Sequence, residues 1–422
     1  KRILNLYNAK VIKEELFNKV RKNILPLESL FVFGTNAENL KEIIKALKEE
    51  KQEKDLGQEF VINKDAEKRL LLIPIYKESD KIFAEEKEPQ KYGINRDDFD
   101  LAKSMFNYLG PKIALTKYEC DVRVVEKANE SFRTPDQYFD FEEVRTISEP
   151  DLLVDRILNY FSVRDKEFDK FKKLENEIVH FKRIKFSDGE KFEQIKKKIE
   201  EIKQYPEKQK ELDKQYGKMP REEFARKQMS LFEAQNFEYK GKKLKIKYIQ
   251  NHYYIPLIVS ENEKVDYLNH IIDVPSEVKF IEQLEEYLQN ENNVFKQFDW
   301  WMFSKLDQTL DEVHIPYYNP KENNMARFKP DFIFWMQKGN EYVILFVDPK
   351  GTEHADGYRK IDGYSRIFET KERKESRVYP FNGFNIKTKL LLKPKRGIAE
   401  TLENYRKYWF DNFGDFATKL NN

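Results

Sequence analysis

Cysteine is nearly absent from these 422 residues. Cys120 stands alone, so no disulfide can form within the chain and no cysteine-rich zinc site can be built. That usage fits a reducing compartment, and a cytoplasmic location is expected. Histidine is almost as scarce: His180, His252, His270, His314 and His354 include no pair at helical metal-binding spacing. No uninterrupted apolar run approaches the ~20 residues of a membrane helix, and no secretory signal opens the chain. A phosphate loop of the form G-x-x-x-x-G-K-[ST] is missing, which excludes ATP hydrolysis by that motif within this chain. An excess of one charge is missing too. The 77 Lys and Arg stand against 75 Asp and Glu, a formal net charge of +2, so a nucleic-acid partner must be met by local basic patches. The first residue is Lys1 rather than Met, from which the chain is expected to be a piece of something longer.

What is present is core material and charge in quantity: 40% hydrophobic residues, 36% charged, 33 Phe and 23 Tyr. The length predicts two or three domains. Residues 1–164 read as an α/β segment. SLFVFG (29–34) predicts a strand, followed by a helix capped by Thr35 or Asn36 with Leu40, Ile43, Ile44 and Leu47 on one face. RLLLIPIY (69–76) predicts a strand, ALTKYECDVRVVE (114–126) alternates as a strand does, and SEPDLLVDRILNYF (148–161) predicts a capped amphipathic helix. Residues 165–243 form a charged arm. Phe192, Ile195, Ile199 and Ile202 keep helical spacing, Pro206 and Pro220 interrupt it, and acidic residues alternate with basic ones as on a solvated helical linker rather than a DNA-tracking arm.

From residue 244 to 422 the pattern is α/β again. Residues 245–260 are strand-rich. SEVKFIEQLEEYLQ (276–289) predicts a helix capped by Ser276, and FKQFDWWMFSKL (295–306) a second helix. Strands are expected over 313–318, 328–336 and 341–351, then a helix near 355–371, a strand over 385–392 and a terminal helix over 398–413. This order predicts a small mixed sheet flanked by helices.

The chemistry concentrates in RFKPDFIFWMQKGNEYVILFVDPKGTEH, Arg327 to His354. Two apolar runs, FIFWM and YVILFV, read as buried strands joined at Gly339-Asn340, a two-residue hairpin turn. Asp331 opens the first strand and Asp348 ends the second. Lys350 lies two residues beyond Asp348 and so shares its face, and the carbonyl of Pro349 is free to act as a ligand. A charge at the end of a buried strand is costly unless something binds it. Two carboxylates and an ammonium so placed are the groups needed to hold Mg²⁺, with Mn²⁺ as substitute, against a phosphodiester. A bare [DE]-x-K is cheap in this chain, as Glu85-Glu86-Lys87 illustrates, and Pro135-Asp136 and Pro150-Asp151 repeat the Pro-Asp pair. The flanking apolar strands set the Asp331 group apart.

Pro330-Asp331 followed by Asp348-Pro349-Lys350 resembles the PD-(D/E)XK nuclease motif. The longer pattern, HYYIPL, a Ser-Glu-led helix, PDFIFW, VILFVDPKG and KIDGY, resembles the C-terminal endonuclease region of type III restriction enzyme restriction subunits and related helicase–nucleases, over roughly residues 245–400. SLFVFGTNAENL is more weakly similar to the segment after the helicase motor in such chains. The resemblance implies a restriction-endonuclease-like core in which Asp331 and Asp348 ligate the metal and Lys350 serves the attacking water. A further acid from the preceding helix is implied, with Glu277 and Glu282 both open. A basic residue on the helix after the motif is implied as well, and Lys360 is the candidate. Lys387, Lys389, Lys393, Lys395 and Arg396 are candidate contacts to DNA phosphates. The expected activity is that of a metal-dependent endonuclease on double-stranded DNA. Its implied partners are a helicase/ATPase motor in the same parent chain and a methyltransferase or specificity subunit, with no membrane partner. The alternatives are a dormant nuclease fold serving as a DNA- or partner-binding assembly module, and a nuclease for RNA or branched DNA.

Overall fold

A computed structural model describes residues 56–82, 91–141, 146–147, 149–174, 183–233, 235–239, 241–261, 265–306, 313–319, 324–349, 356–370, 375–393 and 403–421. The strand and helix expected within 29–47, and with them Lys350, His354, Lys395 and Arg396, lie outside the described residues.

A long strand, β1 (Leu72–Ile82), precedes the helices α1 (Arg96–Lys117), α2 (Val122–Arg133) and α3 (Pro150–Ser162). The strand β2 (Arg164–Lys173) then returns antiparallel to β1. α1 is bent where Gly110 takes φ 72° ahead of Pro111. The strand expected over 114–126 is absent: that stretch holds the end of α1, a short link and the start of α2. Asp121 caps α2 by accepting from the Arg123 N–H at 2.9 Å, and Val124, Val125, Ala128 and Phe132 are buried at helical intervals. The alternation therefore straddled a helix boundary. α3 forms where a helix was expected, but its N-cap residue Glu149 makes no side-chain cap bond; Pro150 sits in its first turn, where a missing N–H costs nothing.

Residues 165–173, expected to begin the helical arm, belong to strand β2, because pairing with β1 satisfies their backbone. The arm proper is α4 (Gly189–Lys203), α5 (Tyr205–Lys214) and α6 (Arg221–Glu233). Ile195, Ile199 and Ile202 are buried along α4. Pro206 sits in the first turn of α5, and Pro220 just precedes α6.

The strands β3 (Lys242–Lys247) and β4 (Leu257–Ser260) make a small antiparallel sheet with Asn236–Tyr239. The helix α7 (Pro275–Leu288) has Val274, not Ser276, at its N-cap position, since Pro275 pre-sets the helical φ one residue earlier. The helix expected over 295–306 is a single 3₁₀ turn, Val294–Gln297, followed by strand β5 (Trp300–Lys305). Its consecutive bulky residues are buried on both faces of a sheet, an arrangement aromatic residues fill well.

β6 (Ile315–Asn319) and β7 (Asn324–Phe328) pair as a separate hairpin. β8 (Phe332–Lys338) and β9 (Glu341–Asp348) form the expected hairpin, with Gly339 at φ 57° in the turn. α8 (Asp356–Phe368) crosses over, and β10 (Tyr379–Phe381), β11 (Phe384–Leu392) and α9 (Phe413–Asn421) complete the chain. The five-stranded sheet runs β5-β8-β9-β11-β10, antiparallel except for the β9–β11 pair that α8 connects. The architecture is thus mixed α/β. α8 seats closely on β6, for a Cβ on Gly363 would lie 2.4 Å from the Pro316 carbonyl oxygen. Instead of one terminal helix over 398–413, Glu403–Tyr408 form a 3₁₀ turn and α9 starts at Phe413. Between them Trp409 bridges Leu392, and the Phe410 N–H donates to the Leu392 carbonyl at 2.9 Å. Tyr408 at the end of the 3₁₀ turn, then Trp409 and Phe410 along Leu392, are buried in succession, which one face of a single helix cannot supply.

Candidate active site

β8 and β9 keep one register throughout, ending at the Phe332–Val347 pair. The next positions outward on that register are Asp331 and Asp348. Each is anchored from its other side: the Leu306 N–H donates to the Asp331 carbonyl at 2.8 Å, and the Lys393 N–H to the Asp348 carbonyl at 3.1 Å. The two acids therefore stand at the same end of the sheet, on adjacent strands.

A third acid approaches from α7. Phe280 of that helix packs on Phe332 with ring centroids 4.9 Å apart, which holds the first turn of α7 over this end of β8. Glu277 in that turn also benefits from the positive helix N-terminus. Lys305, the last residue of β5, joins the acids: its Nζ lies 3.2 Å from Glu277 Oε2 and 3.3 Å from Asp331 Oδ1. Asp331 is 0% exposed, Glu277 2%, Lys305 5% and Asp348 9%. Carboxylates at such depth are stable only with hydrogen bonds or a cation, and Lys305 supplies part of that compensation to two of them.

Of the two acids left open on α7, Glu277 shares its ammonium with Asp331. Glu282 faces elsewhere, accepting from Lys245 Nζ at 2.8 Å. Pro349 is buried directly after Asp348. The Lys360 ammonium lies 4.8 Å from the ring centroid of Phe328, three residues before Asp331.

The basic strand β11 divides. Lys387 faces Glu341 at 3.8 Å, at the end of β9 remote from Asp348. Lys389 donates to the carbonyls of Lys419 (3.3 Å) and Leu420 (2.6 Å) at the end of α9, and burial with Lys387 nearby pulls its pKa down to about 8. Lys389 is thereby tied into the fold, whereas Lys387 stays partly exposed beside Glu341. Lys393 is at the Asp348 end, donating to Gln283 Oε1 at 3.2 Å, and burial with the neighbouring Lys279 lowers its pKa.

Lys305 was not among the residues singled out in the sequence. The signal was a lysine ending a run of buried aromatics, hidden when 295–306 was read as a helix. Among the described residues no three His, Cys, Asp or Glu side chains form a ready metal cage. Mg²⁺ needs only one or two carboxylates because it retains waters and phosphate oxygens, and Glu277 with Asp331, gathered on one cation, fit that requirement. His252 is core rather than site: its ring is fully buried 4.9 Å from Phe303, and burial pulls its pKa down to about 4.

Residues 268–405 match the YagJ family. The match runs from just before α7 into the 3₁₀ turn after β11. It encloses Glu277, Lys305, Asp331, Asp348 and Lys393, and leaves out α1 to α6. No curated protein and no solved structure matches the chain. Among the described residues no helix is long and apolar enough to cross a membrane.

Proposed function

We propose that this chain is a Mg²⁺-dependent endonuclease hydrolysing DNA phosphodiester bonds, built on a restriction-endonuclease-like core and forming the nuclease part of a restriction or antiphage helicase–nuclease. The observation that carries the reading is the position of Asp331 and Asp348 on one register at one sheet end, with Glu277 brought to Asp331 through Lys305. Antiparallel strands followed by a helical crossover to a parallel strand, with the acids at the crossover end, accord with it.

In this reading Asp331 and Glu277, joined through Lys305, would hold the metal with Asp348 on the adjacent strand end and the Pro349 carbonyl as further oxygen donors. A divalent ion bound there would supply a Lewis acid for the phosphate and a lowered pKa for its bound water. Lys350 orients the attacking water and carries its proton. Lys360 and Lys393 meet the negative phosphates beside the scissile bond. The substrate is double-stranded DNA in the cytoplasm. The helicase motor lies in the same parent chain, and a methyltransferase or specificity subunit is the further partner.

The test is incubation of the purified chain with supercoiled, linear and single-stranded DNA, and with RNA, in Mg²⁺ or Mn²⁺. Strand cleavage of DNA is expected, and its loss in Asp331→Ala and Asp348→Ala variants that still melt cooperatively. Cleavage undiminished by either substitution overturns the proposal, and cleavage of RNA alone transfers it to a ribonuclease.

A further inference from the structure

The ammonium of Lys305 lies between Glu277 and Asp331, 3.2 and 3.3 Å from an oxygen of each. Its position is imposed by the fold. Lys305 is paired across from Phe332, and the following residue, Leu306, bonds the Asp331 carbonyl, so the lysine backbone cannot retreat while the sheet is intact. The ammonium lies over the Phe332 ring, with Nζ 5.5 Å from its centroid, and the residue is almost wholly shielded from water. The backbone of Lys305 is therefore rigid, whereas the four-carbon stem is able to swing its terminal charge.

We infer that Lys305 is a resident counter-ion that competes with the divalent cation for Glu277 and Asp331. The inference rests on the metal-dependent reading above. Without metal, the ammonium lies against both carboxylates at 3.2 and 3.3 Å and offsets part of the cost of burying them. A divalent ion drawing on both carboxylates would compete with Nζ, which already holds Glu277 Oε2 and Asp331 Oδ1. The competition lowers apparent metal affinity, as any populated closed state lowers affinity for a ligand of the open one. Cleavage is thereby confined to conditions in which metal and phosphate together displace the ammonium. Lys305 acts on the metal ligands and is a positioning residue, distinct in role from Lys350.

The experiment is calorimetric titration of the full chain with Mn²⁺ and Mg²⁺, together with melting temperatures, for wild type, Lys305→Met and Lys305→Met/Asp331→Asn. Expected for Lys305→Met is at least tenfold tighter metal binding, a lower melting temperature without metal, and recovery of that loss when metal is added. The gain should vanish in the double variant, which locates it. Equal or weaker binding by Lys305→Met overturns the competition while leaving the metal site standing, since wild-type binding is measured alongside. Absence of binding in every variant overturns both. Should Lys305→Met not fold without metal, refolding of Lys305→Met and Lys305→Gln with and without Mn²⁺ decides: rescue by metal supports the competition and failure of rescue overturns it.

Discussion

Asp331 and Asp348 stand opposite one another across the β8–β9 hairpin, one step beyond its last ladder pair, Phe332 and Val347. Strand ends of this kind are where a rigid scaffold can present charge without disturbing its own hydrogen bonds. The hairpin behind them is buried on both faces along most of its length. Small shifts of either acid are therefore resisted by the packing of the whole sheet.

Removing one partner of the buried charge cluster should separate structural from catalytic cost. Asp331→Ala leaves Lys305 buried with part of its compensation gone, and the loss expected for breaking a buried pair is about 3 kcal/mol. Asp348→Ala, at a position less completely buried, should cost less in stability and as much in cleavage. Urea unfolding of both variants, beside DNA cleavage, measures the two effects. Equal stability in Asp331→Ala and wild type contradicts the role given to Lys305.

Close packing of α8 on β6 depends on the absence of a side chain at Gly363. A Cβ there would lie 2.4 Å from the Pro316 carbonyl oxygen and 2.6 Å from Tyr317 Cβ, and neither is the far end of a flexible side chain. Gly363→Ala is expected to destabilise by about 2 kcal/mol through overpacking. It should also weaken activity, since α8 carries Lys360. Thermal unfolding and cleavage rates of the variant test this, and an unchanged melting temperature refutes the close approach.

The two strands around Asp331 and Asp348 were legible in the sequence because they are continuous apolar runs joined at Gly339-Asn340, one residue of which takes the left-handed conformation such turns use. Glu277 was legible only as one of two choices, because helical spacing does not say which turn faces the sheet. Trp300–Lys305 was misread because a short run of bulky apolar residues satisfies helix and strand templates alike. Lys305 disappeared with it. Asn382-Gly383, with φ of 47° and 85°, is a second hairpin turn whose sequence signal was present and unused. The β1–β2 pair joins residues roughly 90 apart, a relation no local pattern carries.

Lys389 should oppose stability at neutral pH and cease to do so in base. Burial lowers its pKa from the ordinary lysine value of 10.5 to about 8. Between those values the unfolded chain holds a proton that the folded chain has released, so stability contributed by this group rises with pH through that window. Below pH 8 the penalty of burying the charge is fully present. Lys389→Met is expected to flatten this rise in the difference between the two unfolding profiles, and a profile that stays parallel to wild type from pH 8 to 10 refutes it.

His252 should set an acid limit on folding. Its Nδ1 lies 2.6 Å from the Tyr254 carbonyl oxygen, and among the described residues its buried Nε2 has no hydrogen-bond partner. A second proton on this ring would therefore be buried without an acceptor. Burial lowers the pKa from 6.5 to about 4. The unfolded chain takes up its proton first, so the stability this group confers is complete above the unfolded pKa and is lost as pH falls toward the folded one. The two pKa values together correspond to roughly 3 kcal/mol of stability lost by pH 4. His252→Gln cannot be protonated in this range and should shed that acid dependence, while losing some stability at pH 7 because the ring packs on Phe303. Urea unfolding of both proteins at intervals from pH 7 to 4 decides the matter. An acid limb of equal depth in the variant would assign the loss to other groups and leave His252 as packing alone.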